Sequence, residues 1–297
     1  MAHNPERLSR LRAVMGEQGI DVLYVRELSN ISWATGFERV FDDEPAHALV
    51  VSAHNCVLHT DSRYFDAMRS AAADTDIEVD NSRMAHSAVL ARVSDCIDGD
   101  IVRVGIEDSM PLAEYRALQR TFEGRAIDLV ELSGFVEELR QVKDESEITA
   151  MRKAQSITDA AFANIIAFMK PGMTEREVQL QLDRYMYEGG AEGLAFGTIV
   201  ATGAHAASPH AIPGETKLAF GDAVVMDFGA RYAGYCSDMT RTVFVGEPSD
   251  EVRRAYGAIR RANEECEAML RAGLSGADVH QHAEAVLGEE GFGGAMG

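Results

Sequence analysis

The sequence is poor in cysteine, and the few cysteines it has are not grouped. The 297 residues include four of them, Cys56, Cys96, Cys236 and Cys266, and none forms a C-x-x-C pair. A chain of this length can fill its own core without covalent crosslinks, so a disulfide framework is excluded. We expect free thiols in a reducing cytosol.

Positive charge is also scarce. Lys and Arg number 28 against 48 Asp and Glu, which gives a formal net charge of −20. No segment is rich in Lys or Arg, and nucleic acids and anionic membrane surfaces are polyanions, so neither is expected as a partner. Metal cations remain compatible with such a chain.

Long apolar runs are missing as well. Residues 1–7 are polar and charged, where a signal peptide needs about 7–15 apolar residues. No window reaches the roughly 18 consecutive apolar residues of a membrane helix. We therefore expect a cytoplasmic protein without a membrane partner. Asn4 and Pro5 instead predict the start of an amphipathic helix.

What the sequence does contain is enough apolar residues, 46%, to fill two ordinary cores. In the first part, short β-branched runs such as 20–25 and 48–51 alternate with helical stretches, which predicts an α/β domain. Long charged helices, a strand-rich region and two further helices follow. We place the domains at 1–135 and 136–297, the second being α+β.

The most informative segment is a predicted hairpin that carries two aspartates. Two apolar strands flank Gly229 and Gly234, and a turn centred between Tyr232 and Ala233 would place Asp227 directly opposite Asp238. Their Cβ atoms would then lie about 4.5–5.5 Å apart on one face.

Two opposed carboxylates repel each other, and Asp is depleted from strands. A divalent cation held between Asp227 and Asp238 would turn this repulsion into attraction. The alternative is that Asp227 is a turn-forming residue at the end of its strand and Asp238 caps a bend. The spacing alone leaves both interpretations open.

His210 lies in a loop stiffened by two prolines, Pro209 and Pro213. Loops on a rigid scaffold often carry functional side chains, and a neutral histidine can hydrogen-bond a substrate or relay protons near pH 7. A histidine that is merely exposed to solvent is the simpler interpretation for His210. It is the only one that the sequence offers for His205.

Several segments together resemble the pita-bread metallopeptidases, namely the Xaa-Pro aminopeptidases and Xaa-Pro dipeptidases (prolidases). The segments are DFGA at 227–230, GYCSDMTRT at 234–242, SPHAIP at 208–213, NISWATGF at 30–37, TDSRY at 60–64 and RQVKDESEI at 140–148. The resemblance implies a creatinase-like α/β N-terminal domain followed by an α+β pita-bread domain. It covers nearly the whole chain.

The resemblance also implies an activity and a site. The chain would hydrolyse peptides with proline at the second position, using two Mn²⁺, Co²⁺ or Zn²⁺ ions and a water that they activate. Asp227 would bind one metal and Asp238 would bridge both. His210 would contact the substrate, and Thr240 would orient a ligand. The family likeness further suggests a homodimer.

One expectation runs against full activity. The resemblance implies three further metal ligands, one His and two Glu, beyond the helix predicted to end near Glu290. No His follows His282 and no Glu follows Glu290. We therefore expect an incomplete pita-bread domain with two of five ligands and little or no hydrolysis. The alternative is a non-catalytic peptide-binding or dimerising protein of the same fold.

Overall fold

The computed structural model describes residues 5–37, 39–42 and 44–295. The chain divides into two compact units. The first contains the residues up to Lys153 together with Tyr232–Tyr235, and the second contains Ala154–Arg231 and the residues from Cys236 on. The cap predicted at Asn4 lies outside the described residues.

A six-stranded mixed sheet forms the centre of the first unit. Its strands are β1 (Val22–Val25), β2 (Ala48–Ser52), β3 (Cys56–His59), β4 (Glu78–Asp80), β5 (Val102–Glu107) and β6 (Ile127–Leu132), in the spatial order β4-β3-β2-β1-β5-β6. Strand β2 runs antiparallel to both neighbours, and the other pairs are parallel. Strands β1, β2 and β3 are buried along their whole length, which explains their continuous apolar sequence.

Helices cover both faces of this sheet. They are α1 (Pro5–Glu17), α2 (Leu28–Thr35), α3 (Phe65–Ala71), α4 (His86–Ser94), α5 (Leu112–Thr121) and α6 (Phe135–Gln141). One core joins α1, α2, α3 and the start of α6 to one face, and a second core joins α4 and α5 to the other. The α/β architecture predicted for the N-terminal domain is confirmed, as is its opening helix, which buries Leu8, Leu11 and Met15.

Helix α7 (Glu145–Phe168) begins at a capping box formed by Asp144 and Glu147. The Glu147 amide donates to Asp144 Oδ1 at 2.9 Å, and the Asp144 amide donates to Glu147 Oε2 at 2.7 Å. Arg7 Nη2 also donates to Asp144 Oδ2, at 2.9 Å. Burial alone would raise the pKa of the Asp144 carboxyl, but hydrogen bonds from Ser146, the Glu147 amide and Arg7 outweigh it and lower the pKa.

The second unit is α+β, as predicted. Besides most of α7 it contains the helices α8 (Glu175–Glu188), α9 (Asp250–Met269) and α10 (Gly276–Glu289) and a 3₁₀ helix (Gly203–Ala207). Its strands are β7 (Gly193–Leu194), β8 (Ile199–Thr202), β9 (Ala223–Phe228) and β12 (Met239–Phe244). Strands β10 (Ala230–Tyr232) and β11 (Tyr235–Cys236) belong to it except for Tyr232 and Tyr235, which lie in the first unit. The strands form two small sheets, ordered β12-β9-β8 and β11-β10-β7. Helices α9 and α10 pack on each other through Ala258, Ala262 and Val286.

Helix α8 also begins with a capping box, formed by Thr174 and Glu177. Thr174 Oγ1 accepts from the Glu177 amide at 3.1 Å, and Glu177 Oε2 accepts from the Thr174 amide at 2.8 Å. Among the helices of the described residues, none is both long and apolar enough to cross a membrane.

The predicted hairpin exists, but its turn lies one residue later than expected. Ala233 and Gly234 form the turn, and both have positive φ, 50° and 78°. Two left-handed residues are typical of the type I′ turn, which matches the twist of the flanking strands. Phe228 therefore pairs with Met239, and the Ser237 amide donates to the Ala230 carbonyl at 2.9 Å.

Gly229 is required by the close approach of the two strands of this hairpin. A Cβ atom at residue 229 would lie 2.0 Å from the Ser237 carbonyl oxygen and 3.0 Å from Ala195 Cβ. The backbone would have to move to accept any side chain.

We predict that Gly229→Ala lowers the free energy of unfolding by about 1–3 kcal/mol, because the new methyl group forces the hairpin backbone apart. Urea denaturation followed by circular dichroism measures the change. Gly257→Ala is the matched control, since residue 257 lies inside α9 with no atom within 4 Å of the added Cβ. That variant should be neutral or slightly stabilising. Equal effects of the two substitutions would contradict the close approach.

The capping box of α7 predicts a pH-dependent contribution to stability. The folded-state pKa of Asp144 is depressed, so its stabilising effect is complete above about pH 5 and is lost as pH falls through the unfolded-state value of about 4 toward the lower folded-state pKa. Asp144→Ala should lower the free energy of unfolding by about 2 kcal/mol at pH 7 and by progressively less below about pH 4. Urea titrations at pH 7 and at about pH 3 test this. Asp159→Ala, which removes an exposed carboxylate of α7, should show no such trend.

Candidate metal centre

Asp227 lies on the central strand of a small sheet with its side chain on the more open face. Strand β9 buries Met226 and Phe228 on one side, while Asp227 between them is half-buried on the other. Its neighbours across the sheet are Thr240 on β12 and Ile199 on β8. The predicted direct pairing with Asp238 is therefore wrong, because the turn at Ala233-Gly234 shifts the register by two residues.

Asp238 nevertheless stays on the same face as Asp227. It precedes Thr240 by two residues, and exposure alternates regularly here, with Asp238 and Thr240 exposed and Ser237 and Met239 buried. Asp238 is thus the diagonal neighbour of Asp227, and diagonal positions in an antiparallel pair are about 7–8 Å apart. Two carboxylates at this separation can be joined by bound cations, although their Cβ atoms are not in direct contact.

A buried hydroxyl pair fixes the backbone beside Asp238. Ser237 Oγ lies 2.6 Å from Thr158 Oγ1 of α7, and the Ala230 amide donates to Ser237 Oγ at 2.9 Å. On the same side of the sheet, Phe228 stacks on Phe162 of α7 with ring centroids 6.3 Å apart. Strand β9, which carries Asp227, and the segment before β12, which carries Asp238, are thereby held on α7 by packing and by satisfied polar groups.

One oxygen of the Asp227 carboxylate is an unsatisfied hydrogen-bond acceptor. Its Oδ1 atom is buried and has no hydrogen-bond partner in the described structure. A buried carboxylate oxygen without a donor is costly, and a hard cation would satisfy it. Among the described residues, no group of three or more His, Cys, Asp or Glu side chains is arranged to hold a metal ion, so Asp227 and Asp238 stand as a pair without a third side chain of these types beside them.

Thr240 and Arg241 follow Asp238 on β12. Thr240 is exposed and faces Asp227 across the strand pair, so its hydroxyl lies on the same face as both carboxylates. Arg241 Nη1 donates to the Thr240 carbonyl at 2.8 Å.

His210 is exposed, in the loop between β8 and β9. Its backbone neighbour Ala211 is 4% exposed, which anchors the loop next to it. Strand β8 enters the loop at Thr202, which pairs with Val224 at the end of β9 away from Asp227. No hydrogen bond joins His210 to either aspartate among the described residues.

His205 and Glu175, to which no function was assigned from the sequence, lie together in the structure. His205 Nδ1 lies 2.8 Å from Oε1 of Glu175, whose side chain is completely buried. The two residues are 30 positions apart, and the only local sign was the acidic first turn of α8. A contact of this kind cannot be read from residue spacing.

The family of the chain follows from comparison with known proteins. Residues 149–297 match Metallopeptidase family M24, and residues 7–142 match the Creatinase/Prolidase N-terminal domain. The chain is 32% identical over 294 residues to the uncharacterized peptidase YqhT of Bacillus subtilis, covering 98% of this chain and 80% of that protein. It is 33% identical over 186 residues to an uncharacterized peptidase of Staphylococcus aureus, covering 63% of this chain and 52% of that one.

Solved structures agree with this match. An Xaa-Pro dipeptidase from Bacillus anthracis superposes with a TM-score of 0.85 at 32% identity, covering 97% of this chain and 78% of that one. An X-Pro aminopeptidase from Thermotoga maritima gives 0.81 at 32% identity with the same coverage. A prolidase from Thermococcus sibiricus gives 0.84 at 28% identity, with 99% and 79% covered. The chain belongs to metallopeptidase family M24, with a creatinase/prolidase-type N-terminal domain and a pita-bread domain.

Proposed function

We propose that this protein is a proline-specific metallopeptidase that hydrolyses the peptide bond between an N-terminal residue and proline. The observation that carries the proposal is the buried, unpartnered Oδ1 of Asp227 on the face it shares with Asp238. The names of the Bacillus anthracis and Thermotoga maritima proteins, a dipeptidase and an aminopeptidase, support the class of substrate.

Asp227 and Asp238 are the residues that would hold divalent cations, with Mn²⁺, Co²⁺ and Zn²⁺ as the candidates. Bound there, the cations would supply Lewis acidity, which polarises a carbonyl and lowers the pKa of water. Hard carboxylate oxygens suit Mn²⁺ best among the three, because imidazole or thiolate ligands favour the others more strongly. The satisfied hydroxyl pair of Ser237 and Thr158 keeps the backbone next to Asp238 fixed during binding.

The protein's own polar side chains would bind and orient the peptide. His210 is exposed, so its imidazole is free to hydrogen-bond the carbonyl or carboxylate of the substrate. Thr240, the cross-strand neighbour of Asp227, would donate its hydroxyl to a ligand carboxylate and fix its orientation. We further propose that the protein is cytoplasmic and acts as a homodimer.

The proposal predicts that both aspartates are needed for metal binding. Asp227→Asn and Asp238→Asn keep the shape of the side chain but remove its charge, and each should weaken Mn²⁺ binding at least about tenfold. Isothermal titration calorimetry measures the affinity. Asp183→Asn is the matched control, because Asp183 is a half-buried carboxylate of α8 that is already hydrogen-bonded by Thr198. Unchanged Mn²⁺ affinity in both site variants would reject the centre.

Hydrolysis tests the reaction itself. With Mn²⁺ present, the protein should cleave Ala-Pro or Ala-Pro-Ala slowly but measurably, and should leave Ala-Ala-Ala intact. The dipeptide and the tripeptide distinguish a dipeptidase from an aminopeptidase. The hydrolysis rate of the wild type is compared with that of the Asp227→Asn variant, which serves as the blank. A rate equal to this blank, together with retained peptide binding, would instead favour the non-catalytic peptide-binding alternative.

A further inference from the structure

Glu175, the first residue of α8, carries a carboxylate that is 0% exposed. Burying an ionised carboxylate is costly unless groups of the protein replace the water molecules that hydrate it. Glu175 lies in the first turn of α8, where free backbone amides and the helix dipole favour negative charge and so provide part of this compensation. The remainder comes from a loop that follows 27 to 39 residues later in the sequence.

Three groups of that loop donate to the Glu175 carboxylate. The Thr202 amide donates to Oε1 at 2.9 Å, and the Gly214 amide donates to Oε2 at 3.2 Å. His205 Nδ1 lies 2.8 Å from Oε1 and 3.0 Å from Oε2. Since a carboxylate only accepts, His205 carries its proton on Nδ1 when it is neutral. One side chain therefore holds both ends of the loop between Thr202 and Gly214.

Backbone contacts show that the two ends are held differently. The Glu175 amide donates to the Thr216 carbonyl at 2.9 Å, and the Arg176 amide donates to the Gly214 carbonyl at 3.1 Å. The later end of the loop is thus bound to α8 by main-chain groups as well. The earlier end is fixed at Thr202 by pairing with Val224 on β9, and Thr202 and His205 also hydrogen-bond the Glu175 carboxylate of α8.

A chain of turn hydrogen bonds leads from His205 to the residues that flank His210. The Ser208 amide donates to the His205 carbonyl at 3.0 Å, and the Ala211 amide donates to the Ser208 carbonyl at 3.2 Å. Ala211 is buried, whereas His210 is exposed. The backbone that flanks His210 is therefore linked to His205 by turn hydrogen bonds.

We propose that Glu175 is a positioning residue for substrate binding: its buried carboxylate, through His205 and the amides of Thr202 and Gly214, holds the loop so that His210 meets the peptide. The inference rests on the proposed function, in which His210 contacts substrate. Glu175 itself touches neither the substrate nor the aspartates of the metal centre.

The variant Glu175→Gln tests this with little change in side-chain volume. One carboxylate oxygen becomes an amide that cannot accept a hydrogen bond, so a loop donor loses its partner. The KM for Ala-Pro or Ala-Pro-Ala should rise about tenfold or more, while kcat changes less than about threefold. Mn²⁺ affinity should stay within about twofold of the wild type, because the aspartates are untouched. Hydrogen exchange of the segment 202–214 should become faster.

A double variant separates positioning from a general loss of stability. If Glu175 acts through His210, then Glu175→Gln combined with His210→Ala should bind peptide no more weakly than His210→Ala alone. Additive losses of affinity would overturn the proposal. Glu177→Ala is the control for α8, since it removes the carboxylate half of the capping box, and the Glu177 side chain has no hydrogen bond to the loop among the described contacts. It should leave KM and loop exchange unchanged.

The remaining outcomes also decide the question. Faster loop exchange with an unchanged KM would make Glu175 a purely structural residue and reject the positioning role. If the wild type binds peptide without cleaving it, the catalytic proposal fails, and the calorimetric Kd for the same peptide takes the place of KM. If the wild type does not bind peptide at all, both proposals are wrong.

Discussion

A two-residue turn in the left-handed region determines where the candidate metal ligands lie. Ala233 and Gly234 both have positive φ, and this choice of turn sets which residues of β9 and β12 face each other. A shift of the turn by one residue changes every cross-strand pair by two positions and leaves each side chain on its original face. The two aspartates therefore remain on the same side of the sheet even though they are diagonal neighbours.

Two carboxylates of the second unit show what burial demands of a charged group. Glu175 is completely buried and accepts hydrogen bonds from three groups of one loop, so its charge is compensated within the protein. Asp227 is half-buried, and one of its oxygens has no partner. The first carboxylate stabilises a conformation, whereas the second is available to a ligand. Both arrangements reflect the free-energy cost of removing an anion from water.

Structural features set by residues close in sequence could be predicted. Features that depend on contacts between residues distant in sequence could not. Strand β9 and the capping box at Thr174 and Glu177 both follow from residues close in sequence, and the strand was predicted correctly. The register failed because an alanine adopts positive φ at residue 233, where its Cβ disfavours that conformation. The hydrogen bond between Glu175 and His205 could not be predicted, since no residue near either one in the sequence identifies the other as its partner. The domain division at 135/136 and the functional roles of His210, Asp227 and Asp238 remain predictions.

The glycine at residue 229 has a consequence for the proposed metal centre. Because the two strands approach too closely there for any side chain, main-chain atoms set the separation between the segments that bear the carboxylates. Calcium needs a roomier and more adaptable oxygen cage than manganese or magnesium does. In the proposed centre, closely packed main-chain segments would therefore favour the smaller ions.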